Sequence, residues 1–254
     1  MAVSIKSARE IELMREAGKR LAHVHQELEA MIAPGISTWE IDAKGEKLIR
    51  DCGCIPNFLH YNGYPASICV SVNDEVVHGI PRKDRYLKEG DIVSLDAGLI
   101  YKGYHSDAAR THAVAKVSTE AQKLMDVTKQ SFFEGIKMAK EGQHLHDISR
   151  AIEEYVTPYG YGIVRDLVGH GIGTALHEAP EIPNYEVGRK GVKLRPGMTL
   201  AIEPMINIGT YEVDWLDDDW TVVTRDGSLS AHYENTILIT EGEPRILSLT
   251  CDNE

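Results

Sequence analysis

The decapeptide LKEGDIVSLD at residues 87–96 returns at residues 194–203 as LRPGMTLAIE. Leu87, Gly90, Leu95 and Asp96 answer to Leu194, Gly197, Ile202 and Glu203. The same spacing of 107 positions relates Gly35 to Gly142, Ile41 to Ile148 and Gly53 to Gly160. A chain that repeats itself once is expected to pack two related halves, about 1–115 and 116–254, around a shared axis. Each half reads in the same order. Apolar residues at helical spacing (Ile11, Met14, Ala17, Leu21, Val24, Leu28) predict a helix over 7–32, and Ser37 or Thr38 caps a second that runs to Gly53. Strand-like text follows at 67–72, 91–99 and 104–114. In the second half, helices are expected over 119–140 and 146–156, and strands near 198–208, 220–224 and 234–240. The expected fold is α+β and pseudo-two-fold symmetric, a curved antiparallel sheet with helices on the outside. No low-complexity or Pro-rich linker separates the halves, so a single domain spanning 1–254 is expected.

One ribbon in this scheme is chemically odd. Residues 94–110, SLDAGLIYKGYHSDAAR, read as a β-hairpin turning at Lys102-Gly103, where Gly accepts the positive φ of a two-residue turn. That turn pairs Tyr101 with Tyr104, Ile100 with His105, Leu99 with Ser106 and Gly98 with Asp107. Asp96 then shares a face with Asp107 as its diagonal neighbour, roughly 7–8 Å away at the backbone. Aspartate is depleted in strands and is rarely buried unless paired or bound to a metal. Two like charges on one face repel, and a cation between them removes that cost.

Three further polar residues sit in apolar text: Glu203 in LAIEPMI, Glu234 in AHYENTILI and His170 in VGHGIG. Four carboxylates and an imidazole can hold two divalent ions, with Mn, Fe(II), Co or Zn favoured over copper. Two such ions can share one hydroxide that attacks a carbonyl. The remaining features bound the setting. A net charge of −12 disfavours nucleic acid and anionic lipid as partners. No apolar run reaches the ~18 residues of a membrane span, and the start lacks the apolar core of a signal peptide. The four cysteines, Cys52, Cys54, Cys69 and Cys251, include one C-x-C and no C-x-x-C, which fits a reducing cytoplasm and structural thiols.

Taken in order, VVHGIP (76–81), SLDAG (94–98), HSDAAR (105–110), GHGIGTALHE (169–178), AIEPM (201–205) and HYENTI (232–237) resemble the type I methionine aminopeptidases, of peptidase family M24. The resemblance covers nearly the whole chain. It implies the pita-bread (creatinase/aminopeptidase) fold, whose internal symmetry agrees with the repeat. It also implies hydrolytic removal of the initiator methionine from nascent proteins when the second residue is small, by a hydroxide bridging two divalent metal ions. Carried over residue by residue, it makes Asp96, Asp107, His170, Glu203 and Glu234 the metal ligands, with Asp107 and Glu234 bridging. Asp96 chelates one ion, and His170 and Glu203 hold the other. Glu203 doubles as general base, His177 steadies the developing oxyanion, and His78 contacts the backbone beyond the scissile bond. The methionine pocket falls on Phe58, Tyr61, Tyr64, Cys69, Leu176 and Trp220. Asn62 and Leu176 depart from the His and Phe of some members. The implied partners are nascent N-termini and the ribosome surface, and the chain is expected to act as a cytoplasmic monomer.

The other histidines read as structural. His23/His25 and His144/His146 are i,i+2 pairs, which point apart on a helix. His60 and His112 belong to no motif. His105 and His232 each lie two residues before a carboxylate, on its face of the strand, and the strand geometry leaves them open as ligands. The family pattern does not use them, which makes them orienting neighbours. Lys19-Arg20 and Arg82-Lys83-Asp84-Arg85 are expected to be solvated. Three alternatives compete: a prolidase or aminopeptidase P-like exopeptidase of the same fold, a non-catalytic peptide-binding relative, and a structural metalloprotein with a closed site.

Overall fold

The computed structural model describes residues 3–249. The first half opens with α1 (Ala8–Glu29) and α2 (Thr38–Asp51). Both start at reciprocal serine–glutamate caps: Ser7 and Glu10 exchange bonds at α1, Ser37 and Glu40 at α2. Ser37, not Thr38, is therefore the cap. Strands β1 (Ile55–Pro56), β2 (Ile68–Val72) and β3 (Glu75–Val77) lead to the hairpin of β4 (Ile92–Tyr101) and β5 (Tyr104–Ala113). The order then restarts with α3 (Thr119–Ile136) and α4 (Leu145–Val156). Short strands complete the second half: β6 (Gly162–Ile163), β7 (Gly169–Gly171), β8 (Glu178–Ile182), β9 (Thr199–Ile202), β10 (Met205–Asn207), β11 (Val213–Trp215), β12 (Val222–Thr224), β13 (Ser230–His232), β14 (Asn235–Leu238) and β15 (Arg245–Ile246).

The hairpin has the predicted register at every position, with Tyr101 opposite Tyr104 and Gly98 opposite Asp107. Its turn residues Lys102 and Gly103 take φ of 49° and 86°, the left-handed pair of a two-residue turn. β4 also pairs with β1 and β2, all antiparallel. In the second half β9 takes the central place, between β14 and β7. The repeat extends to individual hydrogen bonds. Gly35 N donates to Leu87 O and Gly142 N to Leu194 O; Leu87 N donates to Ile36 O and Leu194 N to Gln143 O. The bridge Ser37–Tyr86 recurs as His144–Lys193. Each pair of equivalents is separated by the same 107 positions found in the sequence.

Each half keeps its own apolar core. Leu21, Ile41, Val70, Leu95 and Leu99 pack together in the first, and Leu124, Phe132, Ile148, Leu200 and Ile237 in the second. A third cluster joins them: Met14, Phe58, Tyr64 and Cys69 from one side meet Ile172, Leu176 and Leu238 from the other. The site lies at this seam.

Four expectations need correction. The helix predicted to Lys140 ends at Ile136, because tight bonds from Met138 N to Gly135 O and from Ala139 N to Ile136 O turn the chain inward and bury Ala139. The strand predicted over 198–208 is broken at Glu203-Pro204 into β9 and β10, since proline has no N–H to give a ladder. The strand expected from Trp220 starts at Val222, because the Asp218 carboxylate captures the N–H groups of Trp220 and Thr221 in a turn. Arg20 is also not simply solvated. It donates to Cys52 O at 2.8 Å and stacks 4.2 Å over Tyr101. Cys52, Cys54 and Cys69 are free thiols, whereas Cys251 lies outside the described residues. Among the described residues no helix is long and apolar enough to cross a membrane.

Candidate metal centre and its cavity

Of the five acidic and imidazole candidates, three lie within strands and two where strands are interrupted. Asp96 and Asp107 project from the same face of the β4–β5 ladder. Gly98, opposite Asp107, leaves room for that carboxylate: a Cβ there would sit 3.0 Å from Asp107 Oδ1. Glu203 occupies the break between β9 and β10, and Glu234 the gap between β13 and β14. His170 is the middle residue of β7. Ligand atoms of Asp107, His170 and Glu234 all lie within 4.8 Å of one another. His170 Nε2 is 3.9 Å from Asp107 Oδ2 and 3.6 Å from Glu203 Oε1. Its Nδ1 donates to Gly171 O at 2.9 Å. That bond puts the ring proton on Nδ1 and leaves Nε2 as a bare acceptor aimed at the carboxylates, the tautomer that a metal-binding histidine needs.

The electrostatics call for a cation. Burial pushes the Asp96 carboxyl up to about 7. Burial and then the neighbouring Asp96 hold Asp107 well above the usual carboxylate range; burial and then Asp107 do the same for Glu203 and Glu234. Arg110 is the one nearby cation that favours an ionised Glu234, and its guanidinium bonds to the carbonyls of Ala109 and Glu234 rather than to the carboxylates. Asp96 Oδ1, Asp107 Oδ1 and Glu234 Oε1 are buried without a hydrogen-bond partner. Buried acceptors left unpaired are costly, and divalent ions satisfy oxygen-rich sets of this kind. The residues therefore fit a divalent metal centre.

All thirteen residues singled out in the sequence line one cavity of about 260 Å³. The register makes the neighbourhood direct: Cys69 of β2 stands opposite Asp96 of β4. Tyr64 and Trp220 meet edge to face at 5.1 Å, and Tyr64 Oη donates to Gly79 O at 2.9 Å, fixing the phenol. His78 follows β3 with a φ of 58°, a left-handed conformation that non-glycine residues adopt at some cost and that clusters at functional sites. Burial, and then the neighbouring His177, lower its pKa to about 4, so the ring is neutral near pH 7. His177 packs its ring on His170 at 4.3 Å, and its Nδ1 is 2.8 Å from Tyr61 Oη. Asn62, one of the two departures, also lines the cavity and sits at φ 50°, where asparagine is among the best tolerated residues.

The structure separates the two extra histidines. His232 lines the cavity, with Nε2 3.7 Å from Glu203 Oε2. His105 does not line it: nearer the hairpin turn, its backbone N–H donates to Gly173 O. One member of each i,i+2 pair is buried and bonded to a backbone carbonyl. His25 bonds to Ala108 O and His146 to Arg189 O. Sequence reasoning passed over Val77, Leu167, Val168 and Met205, which also face the cavity. Met205 was readable, because it lies two residues beyond Glu203 in the same motif. Leu167 and Val168 stand in irregular chain before β7 and carry no periodicity.

Comparison with known proteins agrees with this geometry. The profile of metallopeptidase family M24 matches residues 12–241. The methionine aminopeptidase of Clostridium acetobutylicum is 53% identical over 247 residues, 97% of this chain and 99% of the relative. The crystal structure of methionine aminopeptidase from Thermotoga maritima superposes with a TM-score of 0.96 at 45% identity, covering 98% of this chain and all of the other. A prolidase from Pyrococcus furiosus is more distant, with a TM-score of 0.76, 25% identity and only 65% of its own chain covered.

Proposed function

The chain belongs to metallopeptidase family M24 and has the pita-bread fold, and we propose that this cavity is the active site of a methionine aminopeptidase that trims the N-termini of nascent polypeptides in the cytoplasm. It is a hydrolase that uses divalent metal. The observation that carries the reading is the joining, in one cavity of about 260 Å³, of four carboxylates and an imidazole with a wall of Phe58, Tyr64, Cys69, Leu176 and Trp220. Aromatic and sulfur neighbours suit a thioether.

Asp96, Asp107, His170, Glu203 and Glu234 would hold two divalent ions. Such ions polarise a peptide carbonyl and bring the pKa of a water toward neutrality. The apolar wall seats the methionine side chain and so fixes which peptide bond reaches the acids. Glu203 takes a proton from the attacking water. His177 donates to the carbonyl oxygen as negative charge builds there, a position where one donor is worth about 3 kcal/mol. His78, neutral near pH 7, receives the backbone beyond the scissile bond. On this reading one domain spans the chain, since both halves would contribute ligands.

The test uses metal-stripped enzyme reloaded with Mn or Co, and Met-Ala and Leu-Ala peptides of equal length. Methionine release should exceed leucine release by at least about tenfold, the discrimination a shaped apolar pocket can give, and a chelator should abolish both. Equal rates, or methionine release indifferent to chelation, would overturn the reading. Preferential cleavage of X-Pro peptides would favour the prolidase alternative.

A further inference from the structure

A histidine that steadies a carbonyl oxygen must present a protonated ring nitrogen to it, and a neutral imidazole has only one proton to place. The His177 ring has a single hydrogen bond among the described residues, the 2.8 Å contact between Nδ1 and Tyr61 Oη. We infer that Tyr61 is a positioning residue for His177: its hydroxyl donates to Nδ1, so the imidazole proton stays on Nε2, where it can be given to the substrate carbonyl. The inference rests on the reading of His177 as the carbonyl donor and adds how the chain sets its tautomer.

The surroundings divide the labour in the same way. The backbone of the His177 loop is fixed from below by Glu178, whose carboxylate accepts from Thr174 N and Ala175 N and is held by Lys6. None of these bonds touches the His177 ring. The ring packs on His170, and its one hydrogen bond among the described residues is to Tyr61, whose ring lies 5.5 Å away centroid to centroid. Tyr61 in turn belongs to a stiff turn. His60 N donates to Tyr64 O, Tyr61 N to Phe58 O and Tyr64 N to Tyr61 O. Its neighbours His60 and Asn62 hold left-handed φ of 69° and 50°, and both are residue types enriched there. A wall for the methionine side chain would need the Tyr61 ring alone. The hydroxyl is spent on His177.

Tyr61→Phe keeps the ring and removes the hydroxyl, at a residue 36% exposed, so the fold tolerates it. Kinetics of the parent, Tyr61→Phe, His177→Ala and the double variant on Met-Ala peptide form the first readout. Tyr61→Phe should lower kcat about tenfold, less than the hundredfold or more of losing an oxyanion donor, with KM within about twofold. The double variant should be no slower than His177→Ala. The second readout needs no turnover: nitrogen-15 NMR of histidine-labelled protein, with His177 assigned by the resonance missing from His177→Ala. The parent should carry its proton on Nε2, and Tyr61→Phe should shift the ring toward a mixture of tautomers. A rise in KM alone, independent losses in the double variant, or an unchanged His177 tautomer in Tyr61→Phe would each overturn the inference. A His177→Ala enzyme with parental kcat would instead overturn the underlying role of His177, and the tautomer comparison tells the two failures apart.

Discussion

The two halves supply the acids proposed as metal ligands by different means. In the first, Asp96 and Asp107 ride an unbroken ladder of two ten-residue strands. In the second, Glu203 and Glu234 each sit where a strand stops, the former before Pro204 and the latter between β13 and β14. The break at Glu234 coincides with a place where the halves are sewn together. Glu234 N donates to Ala109 O and Ala109 N to Glu234 O, while Thr236 Oγ1 both accepts from Asp107 N and donates to Asp107 O. Thr111 and His232 exchange a similar pair. The intact ladder pairs β4 with β5 within its own half and leaves Asp107 and Ala109 of β5 to bond across the seam. The interruption between β13 and β14 frees the backbone groups of Glu234 to meet Ala109. The first half thus behaves as a rigid frame for its acids, and the second has its acids positioned by the frame.

The largest effect expected from this contrast is at Asp107. Asparagine has nearly the same shape, so Asp107→Asn should leave the ladder intact while removing a charge that bears on Glu203 and Glu234. Turnover of Met-Ala peptide by the metal-loaded variant should fall at least about a hundredfold, beyond the loss typical of outer-shell changes. The metal-free variant should unfold at the same urea concentration as the parent or a higher one. More than half the parent rate would mean that Asp107 is not an essential ligand.

A smaller effect separates seam bonds from ladder bonds. Thr236→Val removes the hydroxyl that satisfies both Asp107 N and Asp107 O. Stranding two buried backbone groups should cost about 2–3 kcal/mol in urea melts. Ser94→Ala, which deletes a 2.8 Å hydroxyl contact to Thr111 inside the first-half ladder, should cost about 1 kcal/mol or less because no backbone group loses its partner. Equal costs would erase the distinction between frame and seam.

The same contrast explains what the sequence made legible. In the first half, alternation and one turn glycine are enough to fix the register, because each pairing follows from its neighbour. That put Asp96 and Asp107 on a common face before any fold was known. The repeat was legible for a similar reason: Gly90 and Gly197 close equivalent turns with φ of 96° and 87°. Resemblance to a family supplied the rest of the site, and all of those residues do line one cavity. Strands of two or three residues, such as β7, β10 and β13, have no periodicity to read. β13 is also held by bonds across the seam to a residue more than a hundred positions away, as between Thr111 and His232. The break at Glu203 could have been suspected from Pro204 alone.

The seam has one more fastening, at the N-terminus. Lys6, nearly buried, reaches from the first half to Glu178 of the second at 2.6 Å. Burial alone would raise the Glu178 pKa, but hydrogen bonds from Lys6 and Ser4, the Lys6 charge and Thr174 N together lower it to about 2. A carboxylate whose folded pKa lies below its unfolded value, near 4.5, contributes stability that is fully present above pH 4.5. That contribution is lost as the pH falls through that value toward 2. Glu178→Gln cannot ionise, so it should be less stable than the parent at pH 6, by about 1 kcal/mol after allowing for partial solvent exposure. The gap should narrow steadily between pH 4.5 and pH 3 as the carboxylate of the unfolded parent takes up its proton while the folded one stays ionised. Paired urea melts across that range measure it. A gap independent of pH would show that Lys6 and Glu178 join the halves by shape and neutral hydrogen bonding rather than by charge.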